Sequence, residues 1–300
     1  MKKMLAALTG VALTGLLLAA GVAQAQERPA ITGIAFVRMY SADVAASDAF
    51  YKTLGFTKVS AGNGLERYGV NPAQWLEVEP LPSATLQTRM PEVAFTTRNV
   101  AALERYLVKH KVSVVEKRKD GFTVHDPEGN LIGFVQEGAV GAALPQSPSA
   151  SSRRIIHAGF IVRDRAAEDA FYRDILGFHL YWNGGKTDTS VDYVAMQVPD
   201  GTDWLEYMLN IKPDADAHQR GVMNHFSLGI AKMSDAVEAL ARDGCTSKDC
   251  SKTQVGRDGK VQMNVYDPDQ TRIEYMEFKP SGTICCSEFK GPHPTEVENK

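Results

Sequence analysis

The sequence has 300 residues, of which 44% are hydrophobic and 23% are charged, and its formal net charge at pH 7 is −3. These proportions are those of an ordinary globular protein and exclude a disordered, collagenous or coiled-coil chain. The 33 basic residues do not outnumber the 36 acidic ones, so the charge balance argues against nucleic acid as a partner. The length is typical of two domains, each large enough to bury a core.

The N-terminal segment has the pattern of a secretory signal peptide. Lys2 and Lys3 precede a long apolar run, and small residues follow it at the positions that a signal peptidase reads. We therefore predict a signal peptide over residues 1–25, cleaved between Ala25 and Gln26. An uncleaved membrane anchor is the alternative, but glycines and threonines interrupt the apolar run. The mature chain is then expected to be a periplasmic or secreted protein that is not held by a membrane.

Two segments of the chain repeat each other. Phe-Tyr-Lys-Thr-Leu-Gly-Phe at residues 50–56 recurs as Phe-Tyr-Arg-Asp-Ile-Leu-Gly-Phe at residues 171–178. Asp43 and Asp164 each stand seven residues before the repeated Phe, which predicts an Asp-capped helix that ends at a glycine. The apolar patterns around these helices indicate the order strand, helix, three strands, and this order occurs twice in each half. The sequence therefore predicts an α+β fold of four βαβββ modules.

The four modules are predicted to form two domains of two modules each. The first domain spans residues 31–137 and the second spans residues 154–279. Residues 138–153 between them are rich in Gly, Ala, Pro and Ser, which is the composition of a linker. Residues 280–300 form a tail that carries two of the four cysteines.

All the cysteines lie late in the chain, at Cys245, Cys250, Cys285 and Cys286. An even number of cysteines in an exported protein predicts disulfides. Because a bridge between adjacent cysteines is strained, we expect two crossed bridges that tie the tail to the loop holding the first two cysteines, with the pairing left open. A zinc cluster is the alternative, but the spacings match no standard zinc-binding motif.

The modules carry motifs that resemble those of a known superfamily. The helix end Phe-Tyr-x-x-x-Leu-Gly-Phe and the strand Asp-Pro-x-x-x-x-Ile-Glu are similar to those of the vicinal oxygen chelate superfamily. That superfamily includes glyoxalase I, extradiol dioxygenases, methylmalonyl-CoA epimerase, and the fosfomycin and bleomycin resistance proteins. The resemblance covers roughly residues 31–279. It implies two open mixed β-barrels, each built from two modules, with metal ligands on the first and last strands of the modules in a metal-holding barrel.

Four residues of the second half match such a ligand set. His157 and His225 open the first strands of the third and fourth modules, and Glu206 and Glu274 lie on their last strands. The His-to-Glu separation is 49 residues in both modules, and the quartet resembles the His/Glu/His/Glu site of glyoxalase I. Such side chains are costly to bury inside a barrel unless a partner satisfies them. Two imidazoles and two carboxylates suit a divalent ion such as Zn, Ni, Co, Mn or Fe, and we predict one ion per chain.

The first half serves as an internal comparison. Aligned on the repeats, its corresponding residues are Phe36, Glu77, Glu92 and Gly133. Both histidines and the last glutamate are replaced, and neither Phe nor Gly supplies a ligand atom. We therefore expect the N-terminal barrel to be free of metal and to pack against, shield or shape the site of the other barrel.

The resemblance implies a metal-dependent enzyme that acts on a small molecule. The leading hypothesis is a lyase or isomerase of the glyoxalase type, in which the ion polarises a carbonyl and Glu274, or otherwise Glu206, moves a proton. The alternative is an Fe(II) extradiol dioxygenase with His157, His225 and Glu274 as its two-His, one-carboxylate triad. A third hypothesis is a protein that binds a small ligand without catalysis, as bleomycin resistance proteins do. The sequence leaves open the substrate and whether the chain is a monomer or a homodimer.

Overall fold

The computed structural model describes residues 27–62, 64–139, 149–245 and 252–296. The predicted signal peptide with its cleavage site lies outside these ranges, as do Cys250 and most of the predicted linker. Within the described ranges, no helix is long and apolar enough to cross a membrane. The strands form two mixed sheets of eight strands each.

The N-terminal half builds the first sheet. Its strands are β1 (Ile31–Ser41), β2 (Thr57–Gly62), β3 (Leu65–Gly69), β4 (Trp75–Pro80), β5 (Glu92–Thr97), β6 (Val114–Arg118), β7 (Gly121–His125) and β8 (Leu131–Gln136). Helices α1 (Val44–Thr53) and α2 (Val100–Lys109) follow β1 and β5. The strand order is β2-β3-β4-β1-β5-β8-β7-β6. The two modules therefore meet through an antiparallel β1–β5 pair at the centre of the sheet.

The C-terminal half builds the second sheet. Its strands are β9 (Ile155–Ile161), β10 (His179–Gly184), β11 (Tyr193–Gln197), β12 (Trp204–Met208), β13 (His225–Ile230), β14 (Gln254–Val255), β15 (Val261–Tyr266) and β16 (Arg272–Glu277). Its helices are α3 (Arg165–Asp169), which continues as a π-helical segment (Ala170–Ile175), α4 (Ala217–Met223) and α5 (Met233–Arg242). The order β10-β11-β12-β9-β13-β16-β15-β14 repeats that of the first sheet. The predicted fold of four βαβββ modules in two mixed β-barrels is confirmed.

The repeated motif starts and ends its helix as predicted. The Asp43 carboxylate accepts hydrogen bonds of 3.0 and 3.1 Å from two first-turn amides of α1, and Asp164 accepts one of 3.0 Å in α3. These bonds satisfy amides that have no partner within the helix. Gly55 and Gly177 follow the helical segments with φ of 77° and 79°, a left-handed conformation that glycine adopts without a steric penalty.

Helix α4 lies between β12 and β13. The Asp216 carboxylate caps it by accepting a 2.7 Å hydrogen bond from the Gln219 amide. This seven-residue helix is too short to show a clear 3.6-residue pattern in the sequence, which did not predict it. The helix matters for the site, since it ends at Met223, two residues before His225.

The two halves share one core and hold each other through reciprocal hydrogen bonds. The buried Tyr51 donates to Asp267 of the second half, and the buried Tyr172 donates to Asp126 of the first half, both at 3.2 Å. Both tyrosines belong to the repeated Phe-Tyr pair, and both aspartates belong to the repeated Asp-Pro turn. The repeated motifs therefore join each half to the other as well as shaping their own modules.

Glu168 is a buried carboxyl group at this contact between the halves. One of its oxygens accepts a 3.0 Å hydrogen bond from the Glu128 amide, and the other has no hydrogen-bond partner in the part of the chain that the structure describes. Burial, together with the negative charge of Asp126, raises the pKa of Glu168 from 4.5 to about 8. The folded protein therefore favours the protonated form at neutral pH, where the unfolded chain favours the ionised form.

We expect Glu168→Gln to stabilise the protein at high pH only. Because the folded-state pKa lies above the unfolded-state pKa, the stability linked to this group is complete below about pH 4.5 and falls as the pH rises to about 8. The amide does not titrate, so the variant should melt roughly 5 °C above wild type at about pH 9 and close to wild type at about pH 4.5. Thermal melts at the two pH values measure this. Asp169→Asn, at the more exposed neighbouring position, is the control, and an equal gain at both pH values would contradict the prediction.

The C-terminal tail packs along the second sheet and contains a disulfide between Cys285 and Cys286. The Cys285 amide donates to the Arg257 carbonyl (2.9 Å), and its carbonyl accepts from the Trp182 indole (3.2 Å). Cys245 is also disulfide-bonded and packs against the main core after α5. The prediction of crossed bridges is wrong, because these contacts hold the tail cysteines against β10 and the loop before β15. Cys245, Cys285 and Cys286 are all disulfide-bonded and therefore have no free thiolate for zinc, which excludes the zinc-cluster alternative for the cysteines within the described ranges.

Candidate metal centre

The central strands of the second sheet carry the two histidines, and their parallel neighbours carry the two glutamates. His157 lies on β9 and His225 on β13, while Glu206 lies on β12 beside β9 and Glu274 on β16 beside β13. Gly159 of β9 stands in register with both Glu206 and His225. Strand pairing therefore brings the four predicted ligands to one place on the sheet.

The ligand atoms of these side chains converge. The Nε2 atoms of His157 and His225 are 3.1 Å apart. His157 Nε2 lies 3.2 Å from Glu274 Oε2, and His225 Nε2 lies 3.4 Å from Glu206 Oε2. The two remaining His–Glu distances are both 3.9 Å. The tightest group consists of His157, His225 and Glu274, whose ligand atoms all lie within 4.8 Å of one another.

These separations fit one divalent ion. With metal–ligand bonds of about 2.1 Å, ligands at right angles lie about 3.0 Å apart and opposite ligands about 4.2 Å apart. The observed His–His and His–Glu distances, 3.1–3.9 Å, fall within that interval. The Nδ1 atom of His225 lies 3.0 Å from the Met223 carbonyl. Nδ1 therefore carries the proton of the neutral His225 ring and donates it to this carbonyl. Nε2 is left with a lone pair that points into the site.

The electrostatics of the site keep the side chains in the forms that bind a metal. Burial by itself would raise the pKa of Glu274, but Arg272 and His157 outweigh it and hold that pKa at about 2. Burial opposes ionisation of Glu206 too, yet the hydrogen bond with His225 keeps its pKa below the usual value. Burial, aided by the charge of Arg272, lowers the pKa of His225. At neutral pH these groups are two carboxylates and a neutral imidazole, which need lose no proton to bind a cation.

Packing fixes the orientation of both imidazole rings. A Cβ atom at Gly159 would lie 2.3 Å from Cε1 of His225, so only glycine leaves room for that ring. The indole of Trp204 stacks on the ring of His157 with the centroids 4.7 Å apart. Both histidines are fully buried. The site is therefore preorganised by the surrounding side chains.

The equivalent place in the N-terminal barrel is filled by an arginine. Arg38 occupies the register position of Gly159, since it stands opposite both Glu77 and Glu92. Its guanidinium lies between the two carboxylates, 2.6 Å from Glu77 and 3.0 Å from Glu92. Arg118 adds a 2.7 Å contact to Glu92. The two glutamates stand where the repeat alignment placed them, whereas Arg38 carries no motif that marks its role in the sequence.

A cavity of about 370 Å³ opens onto Glu206 and Glu274. Aliphatic and aromatic side chains form much of its wall, the aromatic ones being Tyr181, Trp182, Tyr193, Trp204 and Phe289. Phe289 belongs to the tail and stacks on Tyr181 with the centroids 4.8 Å apart. The tail therefore forms part of the cavity wall.

Lys260 is a buried cation behind this wall that the sequence did not single out. Its Nζ atom lies 4.4 Å from the Trp204 ring centroid, 5.2 Å from that of Tyr181 and 5.4 Å from that of Phe289. It also donates a 3.3 Å hydrogen bond to the Tyr181 hydroxyl. Burial lowers the pKa of Lys260 to about 8. The three rings come from β10, β12 and the tail, so no local pattern in the sequence reveals the cage, which holds the wall together through cation–π contacts.

The sequence pattern of the Glyoxalase/Bleomycin resistance protein/Dioxygenase superfamily matches residues 154–275, which contain all four converging side chains. No curated protein matches the sequence. The match confirms the resemblance identified from the motifs, over the C-terminal half of the chain. The cofactor prediction agrees with this match, since His157, His225 and Glu274 provide one divalent-metal site.

Several solved structures share the fold of both halves. A variant of homoprotocatechuate 2,3-dioxygenase from B. fuscum has a TM-score of 0.66 and 19% identity, covering 84% of this chain and 72% of that one. The native enzyme of that name from Arthrobacter globiformis has a TM-score of 0.65 and 19% identity, covering 83% and 80%. The Mn(II)-bound glyoxalase from Novosphingobium aromaticivorans has a TM-score of 0.61 and 16% identity, covering 83% of each chain. At these identities the likeness shows a common fold.

Proposed function

We propose that this protein is a metal-dependent lyase or isomerase of the glyoxalase type that moves a proton within a small oxygenated substrate. The observation that supports this most directly is the second carboxylate, since Glu206 approaches the same two imidazoles as Glu274 but from a different strand. A two-His, one-carboxylate site does not require such a group, whereas proton transfer does. The cavity of about 370 Å³ has room for a small molecule.

His157, His225 and Glu274 would hold the ion, with Glu206 as a fourth ligand. A divalent ion at this place supplies Lewis-acid polarisation of a carbonyl oxygen. Glu206 is the better placed of the two carboxylates to move a proton, because its side chain is 15% exposed at the cavity, whereas that of Glu274 is 4% exposed and contacts Arg272. Glu206 takes the proton from the hydroxyl-bearing carbon next to the substrate carbonyl, and the C–H electron pair forms a C=C bond as the carbonyl π pair moves to its oxygen. It returns the proton to the former carbonyl carbon, and the hydroxyl proton passes to the former carbonyl oxygen, so that the two groups exchange places. This geometry favours Glu206 over Glu274, the reverse of the preference drawn from the sequence.

We expect Glu206→Gln to retain the metal and lose proton transfer. The amide keeps the size of the side chain but cannot accept the proton, so turnover should fall by about 10²- to 10⁴-fold. Zinc- or nickel-loaded protein is assayed with a panel of 2-oxoaldehydes and hydroxyketones, and incorporation of solvent deuterium is followed by NMR. Glu77→Gln, at the equivalent position of the N-terminal barrel, is the matched control and should keep the wild-type rate. Full activity of Glu206→Gln would refute its role as the base.

Ring cleavage by an Fe(II) extradiol dioxygenase is the second candidate function. It is favoured by the composition of the tightest group, which is two histidines and one carboxylate, the ligand set of non-haem iron oxygenases. Protein loaded with iron under anaerobic conditions is mixed with catechols and oxygen. Oxygen uptake with formation of a yellow product would support the dioxygenase and overturn the first proposal. Deuterium incorporation without oxygen uptake would support the isomerase.

We further propose that the protein acts outside the cytoplasm and that residues 31–137 form a metal-free domain. The first proposal rests on the signal-peptide pattern of residues 1–25. The second is supported by Arg38, whose guanidinium supplies an internal cation between Glu77 and Glu92. N-terminal sequencing of the protein from a secreting host tests the cleavage site, and a metal content of two ions per chain would contradict the metal-free domain.

A further inference from the structure

Among the residues that the structure describes, Arg257 and Arg272 line the cavity and Lys260 lies behind its aromatic wall, and two of these three cations are already engaged. Lys260 donates to the Tyr181 hydroxyl and lies within the aromatic cage. Arg257, at the rim, donates to the Gly185 carbonyl at 3.2 Å and forms an ion pair with Asp188. These two cations therefore serve contacts within the protein.

Arg272 is the third cation, and it keeps an unused hydrogen-bond donor. It lies on β16 two residues before Glu274, lines the cavity, and its side chain is 13% exposed. Its Nη1 atom makes one long contact of 3.5 Å with Glu274 Oε1. Its Nε atom is buried and has no hydrogen-bond partner among the residues that the structure describes. Because a buried guanidinium donor without an acceptor is costly, a ligand that supplies an acceptor is favoured there.

The charges around the cavity favour an anionic ligand as the hydrogen-bond acceptor for Arg272. A divalent ion at the metal centre cancels the charges of Glu206 and Glu274, which leaves Arg272 as an uncompensated cation next to it. Apart from Glu206 and Glu274, the acidic side chain in the cavity wall, among the described residues, is Asp258. It lies beside Lys260, whose charge offsets its own. A carboxylate on a substrate would therefore find its complement at the Arg272 guanidinium.

The cavity walls are flat and held in place. A Cβ atom at Gly184 would come within 2.4 Å of the Trp182 indole, so this ring lies directly over the glycine backbone. The Trp204 indole is fixed between His157 and Lys260. Rigid aromatic walls bind a planar body better than a branched one, since ring faces stack at small entropic cost.

We propose that the substrate of this site is a small carboxylic acid with a flat, unsaturated or aromatic body, and that Arg272 binds its carboxylate. This inference rests on the proposed metal-dependent function and names the substrate class of the same site. Arg272 is a binding residue in this scheme, and the proton is still moved by Glu206. Arg272 contacts Glu274, so a substrate carboxylate bound to Arg272 lies close to the metal centre. The other oxygen atoms of a small substrate are then within reach of that centre.

Titration of zinc-loaded protein with benzoate and with its neutral counterpart benzamide tests the proposal, using the fluorescence of Trp182 and Trp204 as the readout. Wild type is expected to bind benzoate at least about tenfold more tightly than benzamide, the difference made by one charge-assisted contact. Arg272→Gln should lose this preference and Arg272→Lys should keep part of it, with the zinc content unchanged in both. Equal affinity of wild type for the two probes would overturn the proposal.

Arg257→Gln is the matched control, because it removes an arginine from the rim of the same cavity. It is expected to keep the preference for benzoate. A preference that survives in Arg272→Gln would overturn the proposal, since it would mean that the anion binds at the zinc or at the rim. Zinc content and deuterium incorporation are measured separately. A protein that binds benzoate through Arg272 but moves no proton would therefore refute the proposed function and support this inference.

Discussion

His157→Phe is expected to remove the metal from the protein and leave its fold intact. The N-terminal barrel carries Phe36 at the equivalent position, where its ring stacks on Trp75 at 5.1 Å, just as His157 stacks on Trp204 at 4.7 Å. A phenyl ring therefore fits the space and keeps the stacking but offers no ligand atom. Loss of a ligand is more severe than loss of the groups that orient ligands, so metal affinity should fall by at least about 100-fold.

Metal content after dialysis and thermal melts with and without metal measure this effect. Wild type should retain one ion per chain and gain thermal stability from it, because a ligand that binds only the folded state stabilises that state. His157→Phe should retain almost none and melt like metal-free wild type. Phe36→Leu, at the matching position of the other barrel, should keep the ion. A full equivalent of metal in His157→Phe would show that the site is placed wrongly.

Arg38→Met is expected to destabilise the protein by about 3 kcal/mol, which corresponds to a melting temperature lower by roughly 10 °C. The substitution keeps the apolar stem but leaves Glu77 and Glu92 facing each other without the guanidinium between them. Their side chains are only 1% and 0% exposed, so water does not replace the lost charge. Arg118 still contacts Glu92 and Arg67 still contacts Glu77, at 2.7 and 2.8 Å, which limits the cost. Denaturant and thermal unfolding measure the loss.

Two further variants separate this effect from the general loss of an arginine. Arg98→Met removes a guanidinium that is 62% exposed and pairs loosely with Glu137 at 3.6 Å, and it should change stability by less than about 0.5 kcal/mol. Arg38→Lys should recover part of the loss, because the ammonium group keeps a cation between the two buried carboxylates. If Arg38→Met unfolds with the wild-type midpoint, the arginine does not neutralise the pair.

Local physical chemistry made the modules and the four converging residues predictable. The helix caps at Asp43 and Asp164 act within a few residues of themselves, so their effect is visible in the sequence. The spacing of 49 residues between His157 and Glu206 recurs between His225 and Glu274 because each module pairs its first strand with its last one. A repeat in the sequence therefore becomes a repeat in space.

The pairing of the cysteines and the different surroundings of the two carboxylates were not predictable in this way. Cys285 bonds to its neighbour because the tail is held along β10 and the cavity, a packing that no spacing between cysteines reveals. Glu206 and Glu274 occupy equivalent places in their modules, so the sequence treats them alike. They differ only through their surroundings, since Arg272 contacts Glu274 and the cavity exposes Glu206.

The module order, the capped helices and the His/Glu/His/Glu quartet can be derived from the sequence alone, because each depends on neighbours in the chain or on the repeat. Which charges act together depends on the three-dimensional packing. Arg38 lies between glutamates of β4 and β5, and Lys260 lies among rings from β10, β12 and the tail. The energy of a buried charge depends on the groups within a few ångströms of it, and those groups are set by the pairing of strands that are distant in the sequence.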